Sequence, residues 1–91
     1  MKYTKSEIQK IVEDNMQVRI NLHLRNPVYG KLVMLSDHEH LMSKGLVRFV
    51  INERLDFFEG TSLEDPDKKF MGKDSMTKIL SISEFTYIKQ Y

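Results

Sequence analysis

Cysteine is absent from this 91-residue chain. That removes disulfides, thiolate metal sites and a cysteine nucleophile together, and such usage fits a reducing compartment. Long apolar runs are also missing. The longest, Leu32 to Leu35, has four residues, against roughly 18 for a membrane span, so no membrane partner is expected. The first residues, Met1-Lys2-Tyr3-Thr4-Lys5-Ser6-Glu7, lack the apolar stretch of a secretory leader. These features together predict a cytoplasmic protein. Charge of one sign is not in excess either: 14 Lys and Arg against 13 Asp and Glu leave a net charge of +1. No whole-molecule field draws the chain onto nucleic acid or acidic lipid, so any anion site must be local. The four glycines, Gly30, Gly45, Gly60 and Gly72, lie too far apart for a phosphate-cradling loop. No nucleophile with an adjacent base stands out, and no carboxylate pair with a reason for shifted pKa values. The reading is therefore of a non-enzyme, with no cofactor and no small-molecule substrate.

What is present suits a folding chain. Apolar residues make up 41% and charged residues 30%, ordinary globular usage, and this length supports one hydrophobic core and one domain over residues 1–91. Thr4-x-x-Glu7 and Ser6-x-x-Gln9 have capping-box spacing, and Ile8, Ile11 and Val12 follow at helical intervals, which predicts a helix over 4–15. From Gln17 the period becomes two. Val18, Ile20, Leu22 and Leu24 alternate with Arg19, Asn21 and His23, predicting a strand with all four apolar side chains on one face. Asn26 to Gly30 reads as a turn and Lys31 to Ser36 as the second strand of a hairpin. Asp37-His38-Glu39-His40 reads as the far turn. Residues 45–58 suggest one long bent strand or two short ones around the polar Asn52-Glu53-Arg54. Residues 60–74 predict a long loop, with Phe70 and Met71 dipping back to the core, and 76–83 and 85–89 two closing strands. Five short antiparallel strands with one N-terminal helix predict a mostly β, SH3-like small barrel closed on itself over residues 17–91.

The order of elements and several residues resemble the Sm/LSm family of RNA-binding proteins, which includes the bacterial Hfq-like members. The likeness rests on Val18-x-Ile20-x-Leu22-x-Leu24-Arg25-Asn26, then Tyr29-Gly30-Lys31-Leu32-Val33, then Asp37, and on Phe85-Thr86-Tyr87-Ile88 as the closing strand. In that pattern the glycine permits a sharp strand bend and the aspartate tightens a turn. The segment from Gly30 to Asp37 is one residue longer than the family pattern. His40-Leu41 stands where a Met-Asn pair is usual, and Ser81-Ile82 where an Arg-Gly turn is usual. The resemblance implies a homo-oligomeric ring that binds single-stranded RNA without catalysis, the fourth strand of one copy pairing with the fifth of the next.

Candidate residues follow. Asp37, His38 and His40 become RNA contacts if their turn lines a ring pore, because exposed imidazoles stack on unpaired bases; Ser81 is the counterpart at the degraded Arg-Gly turn. No metal is expected at Asp37, His38, Glu39 and His40, since neighbouring side chains in an extended turn diverge and His23 lies on another strand. Phe85, Tyr87 and Ile88 are the candidate oligomer seam, an apolar edge strand needing a partner. Lys68, Lys69, Lys73 and Lys78, interrupted by Asp67 and Asp74, read as a charge-mixed loop. Tyr29, Phe49, Phe57, Phe58, Phe85 and Tyr87 read mainly as core or seam rather than as a stacking platform. The competing function is an adaptor barrel that binds another protein and no nucleic acid, favoured by the missing Arg-Gly turn and the near-neutral charge.

Overall fold

The computed structural model describes residues 3–60 and 77–90. The expected loop over 60–74, with Asp67, Lys68, Lys69, Phe70, Met71, Lys73 and Asp74, lies almost wholly outside the described residues. So does the side chain of Phe57.

Helix α1, Lys5–Asp14, begins at Thr4, whose hydroxyl accepts from the Glu7 N–H (3.1 Å) while Glu7 Oε1 accepts from the Thr4 N–H (3.1 Å). Two otherwise orphaned donors are thereby satisfied. Asn15 ends it in the left-handed region (φ 54). One stripe, Ile8 and Val12, is buried; a helix this short takes its stability from that packing.

Five strands follow: β1 Val18–Leu22, β2 Val28–Val33, β3 Leu46–Ile51, β4 Lys78–Ser81 and β5 Phe85–Gln90. They form one antiparallel sheet in the order β4-β3-β2-β1-β5. The barrel expected from the sequence is not closed: β4 and β5 occupy opposite edges and do not pair. The sheet is nonetheless strongly curled. Five flat strands would hold their outer edges about 19 Å apart, yet only a 3-10 turn, Ile82–Glu84, joins the end of β4 to the start of β5, and such a turn advances about 2 Å per residue. Ile82 is fully buried in the core, its N–H donates to the Gly45 carbonyl (2.9 Å), and the Glu84 carbonyl accepts from the His23 N–H (2.9 Å).

One face of the curled sheet holds the main core: Val18, Ile20 and Leu22 of β1, Leu32 of β2, Val47 and Phe49 of β3, Leu80 of β4 and Phe85 of β5, with Ile8 and Val12 of α1 laid against them. The alternation from Val18 to Leu22 is the one predicted, but Leu24 departs from it. A β-bulge at Asn21/Leu22 breaks the ladder to β5, the Arg25 N–H turns back to the Leu22 carbonyl (3.4 Å), and Leu24 sits in the hairpin turn with φ 58, 89% exposed.

Two further helices replace expected turn and strand. Helix α2, His38–Ser43, occupies the segment read as a turn and buries His38, Leu41 and Met42; these positions repeat the i, i+3, i+4 spacing of α1. Gly45 follows it at φ 75 with open space around its α-carbon, a backbone conformation that glycine adopts without steric cost. Instead of continuing as strand, Asn52–Arg54 forms a 3-10 turn and Leu55–Gly60 forms helix α3. Leu55 and Phe58 of α3 pack on Val33 and Val50, on the sheet face opposite the main core.

Candidate functional site

The sequence-predicted contacts do not come together as one surface. Asp37 is held by Arg48 of β3, which donates from Nε to Oδ1 (3.0 Å) and from Nη2 to Oδ2 (2.6 Å), while its Nη1 donates to the Thr77 hydroxyl (2.7 Å). A bidentate pair of this kind ties the start of α2 to β3 and to the approach to β4. The Arg48 hydrogen bonds hold the Asp37 carboxyl below its ordinary 3.8, outweighing a partial burial that acts the other way. A depressed folded value means the contribution to stability is full above that ordinary pKa and is lost as pH falls through the lower, folded one. Asp37→Asn should therefore lose stability relative to the native chain at neutral pH, with the gap closing below about pH 3.8; urea midpoints at pH 7 and pH 2.5 test this, and a gap of equal size at both would refute it.

His38 is not exposed, contrary to expectation. It is buried, and its Nε2 lies 2.6 Å from Gln9 Oε1 of α1. The Gln9 amide nitrogen donates to Glu13 (3.0 Å), which leaves the amide oxygen to accept and makes Nε2 of His38 the donor. His40 alone of the three faces solvent. Ser81 shares a hydrogen bond with Ser83 (2.8 Å) beside the buried Ile82. Among the described residues no group of three or more His, Asp or Glu could hold a metal ion. On the proposed seam, the side chain of Phe85 is buried in the chain's own core at 1% exposure. The Ile88 N–H donates to the Tyr3 hydroxyl (2.8 Å), which takes up a backbone donor of β5. Tyr87 remains half-exposed.

A different surface emerges on the sheet. None of the five described strands contains Asp or Glu, whereas Arg19, Lys31, Arg48, Lys78 and Lys89 lie within them. A nearly neutral chain thus has a cationic sheet. Helix α3 covers the β2–β3 half of the face opposite the main core, and among the described residues no helix packs on the β1–β5 half of that face. In register across that half stand Tyr29 of β2, Arg19 of β1 and Lys89 of β5; two residues along β5 stands Tyr87, opposite Asn21. Tyr29 is 45% and Tyr87 49% exposed. Two strand spacings across and two residues along put the tyrosines roughly 12 Å apart. Between them Arg19 Nε donates to Asn21 Oδ1 (3.2 Å), which sets the guanidinium along β1. The sequence reading assigned these aromatics to core or seam. For Tyr29 the signal was parity, since it alternates with the core-facing Leu32 and shares the Lys31 position; Tyr87 has the parity of the buried Phe85 as well as of Lys89, and only the register shift opposite Asn21/Leu22 parts it from the core.

This arrangement offers two aromatic faces with one cation between their strands and a second beside Tyr87, the elements needed to stack unpaired bases and neutralise phosphates. No family model, no curated protein and no solved structure matches this chain.

Proposed function

We propose that the chain binds single-stranded RNA without catalysis, and that it does so through the β1–β5 half of the sheet face opposite its main core rather than through the segment from Asp37 to His40. The observation that carries this reading is the segregation of charge: acid-free strands with Arg19 set on β1 between the exposed Tyr29 and Tyr87, and Lys89 beside Tyr87 on the edge strand. Stacking on aromatic side chains tolerates any base, and the cations track the backbone. An N-terminal helix followed by five strands also supports the Sm-like resemblance. Assembly of copies edge to edge, which that resemblance implies, is supported by the half-exposed Ile79 on β4, an edge strand; the Tyr3 cap on Ile88 weighs against pairing along the whole of β5.

Fluorescence anisotropy with labelled oligouridine and oligoadenine across a salt series tests the reading. The native chain should bind at low salt, with log affinity falling as log salt rises. Tyr29→Ala and Tyr87→Ala should each weaken binding about tenfold, within the range for loss of one stacked base. If neither oligonucleotide binds at low salt, RNA is excluded. The second reading, a protein adaptor, then stands on Leu24: an 89% exposed leucine in the left-handed region, on a hairpin tip pinned by the Arg25–Glu84 ion pair (2.6 Å), has the form of an apolar anchor for a partner protein.

A further inference from the structure

We propose that Lys31 is a third phosphate contact of the same sheet face, held out of use by Glu59 of α3. This rests on the single-stranded RNA reading above and adds a means of regulating that site.

Lys31 lies two residues from Tyr29 on β2, so the two side chains share a face. Its partner across the ladder is Val50, which together with Val33 is buried beneath Leu55 and Phe58 of α3. Lys31 thus marks the border of the area that α3 covers. At that border Glu59 reaches over it, with Nζ 3.3 Å from Oε1. The asymmetry of the pair is informative: the lysine side chain is only 15% exposed and the glutamate 59%. The cation lies against the sheet, and the acid covers it from the solvent side.

A carboxylate in this place does what an arriving phosphate would do, presenting a negative oxygen to the ammonium. The two compete for one cation. An ion pair with so exposed a carboxylate is weak and screened by salt, so displacement by a polyanion already stacked on Tyr29 is feasible. Weakening the hold of Glu59, or shifting the helix that carries it, raises the number of phosphates the face engages.

The test uses the full chain and the same labelled oligouridine. Glu59→Gln should tighten binding several-fold at low salt and steepen the plot of log affinity against log salt by about 0.7, the increment for one more phosphate on a single strand. Lys31→Gln in the Glu59→Gln background should abolish both gains. Thermal unfolding of each variant shows that the fold is retained. Binding by the native chain with no change of slope in Glu59→Gln overturns the inference while leaving the RNA reading intact. No binding by any of the proteins overturns both.

Discussion

Gly30→Ala is expected to destabilise the protein by about 3 kcal/mol or more, the upper end of the cost of overpacking. An added β-carbon would stand 2.8 Å from Cζ of Phe49 and from the carbonyl carbon of Val50, and closer still to the Val50 oxygen. The phenyl ring could swing aside; the carbonyl cannot move without parting β2 from β3. For a chain of this length the loss corresponds to a fall of about 12–24 °C in melting temperature. It is a large fraction of the 5–15 kcal/mol typical of total stability. A melting temperature within a few degrees of the native value would show that the strands are not so closely apposed. The Sm-like pattern that the sequence resembles has a glycine here for its bending freedom, but among the described residues the glycine with positive φ is Gly45, not Gly30. Its requirement is proximity rather than an unusual dihedral angle.

Phe49→Ala is expected to cost about 3–5 kcal/mol, the range for removing a fully buried aromatic ring. Phe49 is 1% exposed and belongs to the cluster that joins α1, the sheet and Ile82. Neighbours fixed in strands collapse only partly into the space it leaves, so the lost contacts are not regained. Urea unfolding should show a lower midpoint with an unchanged slope; a loss below about 1 kcal/mol would mean that the ring does not fill the core in this way. The two substitutions also share a site. If the clash at Gly30 were with the ring alone, Phe49→Ala would make room for alanine at 30. Since the Val50 carbonyl remains, the double variant should be less stable than Phe49→Ala by itself.

Where the sequence was legible, the local code and the tertiary demand agreed. Thr4 and Glu7 cap α1 as their spacing predicts, and Val18, Ile20 and Leu22 bury one face as their alternation predicts. It misled where short elements draw their identity from packing. His38, Leu41 and Met42 carry a helical stripe, but a single turn and a half dominated by polar residues looks like a loop until β3 is there to receive it. Leu55 and Phe58 fall in a short apolar run that reads as strand; their spacing of three is a helical sign that becomes decisive only because Val33 and Val50 offer an apolar patch on the far face of the sheet. The same second layer accounts for the misplaced site. A one-sided sheet makes every exposed aromatic on a strand look like core or seam, whereas here α3 covers half of the far face and Tyr29 and Tyr87 remain on the other half. Burial of His38 could not be read from residues 37–40 alone, because its partner, Gln9, lies on α1.

The sheet order also dictates when the protein can be finished. β1, which precedes the other four strands of this sheet in the chain, is flanked on one side by β2 and on the other by residues 85–90. A growing chain can pair β1 with β2 early, but that strand keeps a bare rim, and the space later filled by Phe85 stays wet, until the last of these residues has cleared the ribosome. Completion of this sheet therefore waits on β5, and the interval before it is when a nascent chain is most open to association with the wrong neighbour.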